Sequence, residues 1–162
     1  MPMRKLFQNL NPQALRMQHN STTYNTEICA SGDTAELAKI RAFVEEHAKQ
    51  FGFSEGDVMK IALAVDEACS NLVRHAYKHD KNQKFCVRVE TKGDQFIVSI
   101  LDNGPTFNPL NVASPDMKEY FKKLKPGGLG VQIMRMVMDE LSYIPASQTQ
   151  PQNALRLAKN LR

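Results

Sequence analysis

The amino-acid sequence predicts an α+β fold, a two-layer sandwich in which a mixed, mostly antiparallel sheet carries its helices on one face. Apolar residues recur at helical spacing in three segments. Two pairs of short strand-like segments are close enough along the chain to be hairpin neighbours. The resulting order is strand, two helices, hairpin, long loop, helix and hairpin. Because a doubly wound parallel sheet would alternate strands with helices, this order favours the sandwich.

Length and composition indicate one folded domain. The chain has 162 residues, of which 42% are hydrophobic and 23% charged, so it can bury a core. We expect residues 1–20 to form an N-terminal extension and residues 21–162 to form the domain. No apolar run approaches the roughly 20 residues of a membrane helix. The first residues lack the apolar core of a secretory signal, so we expect a cytoplasmic protein without a membrane partner.

Charge and cysteine spacing exclude two further classes. The net charge of +4 is scattered along the chain, whereas a nucleic-acid surface needs a basic stripe with interleaved aromatic residues. We therefore expect no direct nucleic-acid partner. Cys29, Cys69 and Cys86 form no Cys-x-x-Cys pair, which predicts neither a disulfide nor a zinc site. We expect three reduced thiols packed as small hydrophobic side chains.

Two helices are predicted in the first half of the chain. Asp33 to Glu36 resembles a capping box, and Gly52 stands where a C-terminal cap is expected. Ser54 to Asp57 marks the start of the second helix in the same way, and this helix spans about residues 57–78. On its polar side Asn71, Arg74 and Lys78 fall within about 40° of Glu67. Its opposite side is apolar and consists of Val58, Ile61, Ala62, Val65, Cys69, Leu72, Val73 and Ala76.

Strand patterns and glycines divide the rest of the chain. The run from Gln95 to Leu101 is almost continuously apolar, which predicts a central strand buried on both faces. A long connection follows over residues 105–126, and Tyr120, Phe121 and Leu124 indicate a short helical piece inside it. A third helix follows the glycines near residue 128. The remaining predicted strands are Thr22 to Ala30, Phe85 to Val89, Leu141 to Ile144 and Ala154 to Ala158.

Glu67 and Asn71 are the first candidate site. They lie one helical turn apart, so a carboxylate and an amide oxygen stand side by side. Such a pair can coordinate Mg²⁺ through one oxygen and orient a hydroxyl with the other. Arg74, one turn further, could meet a phosphate. A polar stripe of this kind is also typical of an ordinary surface helix, so both interpretations remain open.

The second and third candidates are turns rich in glycine. Asp102 at the end of the buried strand can accept a hydrogen bond from an exocyclic amine such as that of adenine, and Gly104 would let the ring approach. Asp-Asn-Gly is also ordinary turn chemistry. The segment from Gly127 to Gly130 leaves backbone N–H groups at a helix start, which suits phosphate, although it could be a plain loop. It is not a Walker A loop, because no Gly-Lys-Ser/Thr follows. It is not the dinucleotide fingerprint either, since Ile133 occupies the place of the third glycine.

Together, the three segments resemble the N, G1 and G2 boxes of the GHKL ATPase superfamily, whose domain is the Bergerat fold. The finer resemblance is to bacterial anti-sigma-factor serine/threonine kinases, over about residues 22–160. The segments that carry it are Val65 to Tyr77, Asp102 to Pro109, Gly127 to Ile133 and Met138-Asp139-Glu140.

The resemblance implies a role for each matched residue. Glu67 would be the general base, Asn71 would hold Mg²⁺, and Asp102 with Gly104 would bind adenine. Residues 105–126 would form the ATP lid, in which Asn108 replaces the aspartate of many relatives. The last hairpin lacks the usual glycine turn over residues 145–152, and His75 is expected to pack. The implied nucleotide-binding set is Asn71, Arg74, Asp102, Gly104, Phe107, Gly127, Gly128, Leu129 and Gly130.

The function implied by the resemblance is an ATP- and Mg²⁺-dependent protein serine/threonine kinase. It would phosphorylate a small anti-sigma-factor antagonist protein and sequester a sigma factor, as a homodimer. The alternative is a non-catalytic module in which ATP only shapes a protein-docking surface. A detached histidine-kinase catalytic domain is less favoured, because the loop sequence resembles the serine-kinase branch more closely.

Overall fold

The computed structural model describes residues 24–113, 116, 118–119, 122 and 128–162. The predicted extension over residues 1–20, the helical piece marked by Tyr120, Phe121 and Leu124, and Gly127 lie outside these residues. The described part contains five strands and three α-helices. They are β1 (Tyr24–Ser31), α1 (Leu37–Phe51), α2 (Glu55–Asn71), β2 (Lys84–Lys92), β3 (Gln95–Asp102), α3 (Gly130–Val137), β4 (Glu140–Ile144) and β5 (Asn153–Asn160).

The five strands form one sheet in the order β1-β2-β3-β5-β4. All four neighbouring pairs are antiparallel, so the prediction of a mixed sheet is wrong for the described residues. The reason is the path of the chain after β3. The chain first forms α3 and then the edge strand β4. The hairpin after β4 reverses the chain direction, so β5 runs antiparallel to β3.

The predicted central strand is confirmed, since every residue of β3 after Gln95 is buried. The side chains of Phe96, Val98 and Ile100 point toward the helices and join the core. The ring of Phe96 packs against those of Phe51 and Phe53, with centroids 5.5 and 5.7 Å away. The helices thus cover one face of the sheet, as the α+β prediction requires.

The predicted helix boundaries are confirmed where a local signal sets them. Gly52 ends α1 with a φ of 111°, a conformation that favours glycine. Ser54 starts α2 by accepting a hydrogen bond from the Asp57 N–H at 3.2 Å. Asp33 does cap the first turn, since its Oδ1 accepts a hydrogen bond from the Ala35 N–H. The capping box is incomplete, because Glu36 accepts a hydrogen bond from the Ser31 N–H and not from the Asp33 N–H.

The second helix ends earlier than predicted. Its α-helical part stops at Asn71, and Leu72–Ala76 forms a π-helix. The Tyr77 N–H donates to the Leu72 carbonyl, five residues back, which is the wider spacing of a π turn. Lys78 then has a positive φ of 47°, so it does not extend the polar stripe of Glu67 and Asn71.

Two cysteines differ from expectation. Cys29 in β1 lies directly opposite Cys86 in β2, and the two form a disulfide. The prediction of three reduced thiols is therefore wrong, because a sequence separation of 57 residues hides that these strands are neighbours. Cys69 does behave as a small hydrophobic residue, and burial raises the pKa of its thiol to about 12.

None of the helices in the described ranges is both long enough and apolar enough to cross a membrane.

We predict that Phe96→Ala lowers the free energy of unfolding by about 3–5 kcal/mol, because it leaves a cavity beside the rings of Phe51 and Phe53. Phe96 is 0% exposed. Urea unfolding followed by circular dichroism measures the change. Met59→Ala, at a residue that is 70% exposed, is the control and should change the free energy by less than about 0.5 kcal/mol. Equal losses in the two variants would contradict the assignment of the core.

Candidate functional site

The end of α2 and the start of α3 lie in direct contact. A Cβ atom added to Gly130 would lie 2.5 Å from Glu67 Oε2 and 3.3 Å from Asn71 Nδ2. The missing side chain of Gly130 is therefore what allows this approach. The structure thus brings two of the sequence-predicted segments together, since the Glu67 carboxylate and the Asn71 amide lie against the first turn of α3.

Asp102, the last residue of β3, is a buried carboxylate with 5% of its surface exposed. Its Oδ1 accepts hydrogen bonds from the Gly104 N–H at 2.8 Å and from Asn153 Nδ2 at 3.2 Å. Burial raises the pKa of Asp102 above its ordinary value, and the two hydrogen bonds only partly offset this. Within the described part of the chain no donor contacts its other oxygen, Oδ2, which is thus available to a bound amine.

Asn153 is a site residue that the sequence analysis missed. It is 1% exposed and lies opposite Asp102 in the β3–β5 pair. Its Nδ2 also donates to the Gly104 carbonyl at 3.0 Å, and its Oδ1 accepts from the Ala146 N–H at 2.9 Å. One amide therefore fixes both Asp102 and Gly104. A polar residue next to the predicted last strand was the only sequence signal, and it did not reveal which strand would be its neighbour.

Tyr77 sets the position of the Gly104 turn from the other side. A Cβ atom on Gly104 would lie 2.5 Å from Tyr77 Cε1. The Tyr77 hydroxyl donates to the Lys84 carbonyl at 2.7 Å. Burial, with a smaller contribution from the Asp102 charge, raises the pKa of Tyr77 well above its usual value. Tyr77 is therefore a neutral hydrogen-bond donor whose ring forms one wall of the turn.

A small cavity lies between the end of α2 and the end of β3. Its volume is about 20 Å³, close to that of a single water molecule. The Phe107 ring stacks on the ring of His75 with centroids 5.6 Å apart, and the Phe107 N–H donates to the Tyr143 hydroxyl at 3.1 Å. His75 is exposed apart from this ring contact. The lining residues are Ala68, Asn71, Leu72, Ile100, Asp102, Phe107, Pro109, Tyr143 and Leu155.

The other predicted residues lie at or beyond the edge of this site. Arg74 is exposed, and its Nε donates to the Ser70 carbonyl at 3.3 Å, so no contact in the described residues joins it to Glu67 or Asp102. Gly128 is exposed with a positive φ of 86°. Leu129 is half-buried and caps α3 without a side-chain hydrogen bond.

The arrangement provides two different chemical environments. At one end Asp102 offers a buried acceptor for an amine beside an apolar cavity. At the other end the N-terminus of α3 offers backbone N–H groups and a partial positive charge, which suit phosphate. Asn71 belongs to both ends, since it lines the cavity and lies beside Gly130. Glu67 is half-buried next to the phosphate-binding end.

Comparisons with known proteins find several similar proteins. The serine-protein kinase RsbW of Bacillus subtilis (strain 168) is 33% identical over 107 residues, which cover 63% of this chain and 66% of the relative. RsbW of Bacillus licheniformis is 34% identical over 108 residues, with 63% and 66% covered. RsbW of Bacillus cereus (strain Q1) is 29% identical over 112 residues, with 67% and 69% covered. The chain thus spans about 66% of the length of the first two relatives.

The model of the histidine kinase-like ATPase domain matches residues 30–159. This range contains the three segments that carry the sequence resemblance, and the resemblance is confirmed. The chain therefore belongs to the family of histidine kinase-like ATPase domains.

Proposed function

We propose that this protein is an ATP-dependent protein serine/threonine kinase that phosphorylates a small antagonist protein and sequesters a sigma factor. The observation that carries the proposal is the convergence of Glu67, Asn71 and Gly130 beside the cavity that contains Asp102. The relatives named serine-protein kinase support the choice of reaction. A cytoplasmic location, a homodimer and a separate extension over residues 1–20 belong to the same proposal.

Adenine binds at the Asp102 end of the site. The free Oδ2 accepts a hydrogen bond from the exocyclic amine, while Asn153 and the Gly104 N–H hold Oδ1 in place. Gly104 lies beside the ring because it has no side chain. A cavity of about 20 Å³ is too small for a purine, so Phe107 must move aside when the nucleotide enters.

The phosphates bind at the other end. The backbone N–H groups of Gly128, Leu129 and Gly130 surround them at the start of α3, and Gly127, the residue before them in the sequence, is expected to add its own N–H group. The residues present fit Mg²⁺, since Asn71 offers an amide oxygen beside the Glu67 carboxylate, and Mg²⁺ prefers oxygen ligands. Asn71 would hold the ion together with the phosphates, and the ion would neutralise their charge. Arg74 would become a phosphate contact only after leaving the Ser70 carbonyl.

Glu67 is the group that accepts the proton of the substrate hydroxyl. Phosphoryl transfer depends mainly on positioning and charge neutralisation, and a general base adds about 10²–10⁴-fold. Gly130 keeps the Glu67 carboxylate against the first turn of α3. We therefore expect the base to lie next to the terminal phosphate.

We predict that Glu67→Gln lowers transfer of radiolabel from ATP to the cognate antagonist by about 10²–10⁴-fold. Gln keeps the size of the side chain but cannot accept the proton, so Mg-ATP affinity should stay within about threefold. Glu46→Gln, on the exposed side of α1, is the matched control and should retain full transfer.

Two other outcomes would decide against this proposal. Unchanged transfer by Glu67→Gln would mean that Glu67 is not the base. Mg-ATP binding by the unmodified protein without any transfer or ADP release would favour the non-catalytic module.

We predict that Asp102→Asn lowers Mg-ATP affinity by at least about tenfold, because a hydrogen bond to a charged acceptor contributes about 1.5–3 kcal/mol. Isothermal calorimetry measures the affinity. Asp94→Asn, at an exposed turn residue, is the matched control. Folding raises the pKa of Asp102, so its ionised form lowers stability at neutral pH. The melting temperature of Asp102→Asn should therefore equal or exceed that of the unmodified protein, which separates lost binding from lost folding.

We predict that adenine-nucleotide affinity falls as the pH is lowered, and that the fall begins above the range in which exposed aspartates titrate. The raised pKa means that Asp102 takes up its proton at a higher pH than usual, and the protonated form is a poorer acceptor for the amine. Calorimetric titration with Mg-ADP from neutral to mildly acidic pH measures this. The profile should flatten in Asp102→Asn and persist in Asp94→Asn, whereas identical profiles would contradict the role of Asp102.

A further inference from the structure

The face of the sheet opposite the helices carries a pair of cysteines that the proposed kinase chemistry does not use. Cys29 is exposed and Cys86 is half-buried, so a small molecule in solution can reach the bond between them. Cys29 belongs to β1, which among the described strands pairs with β2 alone and forms one edge of the sheet. The bond therefore ties the edge of the sheet to its interior.

The Glu27 carboxylate lies within 4.8 Å of both sulfurs on this face. Lys84 and Arg88 lie two residues on either side of Cys86, whereas Glu27 lies two residues from Cys29. Arg88 also pairs with Glu27 at 2.8 Å, so the exposed Lys84 supplies the cation that is not shared with this carboxylate. A nearby cation favours a thiolate and a nearby carboxylate disfavours it. Because both sulfurs share this carboxylate, accessibility decides the point of attack, and Cys29 is the more accessible sulfur.

We propose that Cys29 and Cys86 form a reversible thiol-modification site that exchanges with low-molecular-weight thiols and disulfides of the glutathione class, and thereby locks or releases β1. In reduction, a glutathione thiolate attacks Cys29 Sγ. A mixed disulfide forms, the Cys29–Cys86 bond breaks, and Cys86 leaves as a thiolate that takes a proton.

A second glutathione thiolate completes the reaction. It attacks the glutathione sulfur of the mixed disulfide, which releases Cys29 and forms glutathione disulfide. Two electrons and two protons pass from two glutathione molecules to the protein. Oxidation is the reverse reaction, with glutathione disulfide as the oxidant.

The bond encloses a large part of the fold. Its partners are 57 residues apart, and the enclosed segment contains α1, α2 and both Glu67 and Asn71. Closing a loop of this length restricts the unfolded chain. We therefore expect the oxidised protein to melt at a temperature higher by on the order of 10 °C than the reduced protein.

Thiol counting on the full chain tests the exchange. After treatment with glutathione disulfide, iodoacetamide should modify no cysteine of the folded protein, because Cys69 is 0% exposed. After treatment with excess reduced glutathione it should modify two, and in denaturant with reductant it should modify three. Intact mass spectrometry reads the number. Two modified cysteines after the disulfide treatment, or none after the thiol treatment, would overturn the proposal.

Thermal unfolding tests the lock. The melting temperature should depend on the glutathione redox state in the unmodified protein, and this dependence should vanish in both Cys29→Ser and Cys86→Ser. Reduced unmodified protein is the control that needs no substitution. A melting temperature unaffected by reduction would overturn the lock. Neither readout involves nucleotide, so the outcome is independent of the proposed kinase function.

Discussion

The close approach of α3 to α2 at Gly130 is the constraint on which the site depends. Any side chain at this position would meet Glu67 Oε2 at 2.5 Å, so either the carboxylate or the helix would have to move. Moving α3 would carry away the first-turn N–H groups, and moving Glu67 would displace the proposed base. A single missing Cβ atom thus fixes the distance between the proposed base and the place where a phosphate would bind.

The second constraint is the buried carboxylate of Asp102. Burial of an ionisable group lowers stability unless the group is hydrogen-bonded, and here two donors act on one oxygen while the other stays available. A core selected for stability alone would carry an apolar residue at the end of β3, as it does at Ile100. Retaining a carboxylate at a cost in stability is typical of a binding site. The β3–β5 pairing supplies Asn153, so the topology of the sheet and the chemistry of the site cannot be separated.

Local signals made most of the fold predictable from the sequence. The caps at Gly52 and Ser54, the helical spacing of α2 and the unbroken apolar run of β3 each depend on neighbouring residues. The sequence order of Glu67, Asp102 and Gly130 also revealed the site through its resemblance to a family. The features that were missed depend on distant residues. The Cys29–Cys86 bond and the Asn153 hydrogen bonds require knowledge of strand neighbours.

Under the proposed function, the small cavity beside Asp102 would limit how tightly a nucleotide binds. The Phe107 ring packs on the His75 ring, and its backbone N–H donates to the Tyr143 hydroxyl, so a full displacement of Phe107 would break both contacts. A hydrogen bond and an aromatic pair of this kind together contribute about 1–3 kcal/mol. Because apparent affinity falls with the fraction of molecules that are open, this lowers it by about 5- to 150-fold. His75 lies in the π turn and Tyr143 in β4. Opening of the cavity would therefore change contacts both at the end of α2 and at the edge strand of the sheet. The proposed nucleotide site is therefore in contact with both of these elements through Phe107.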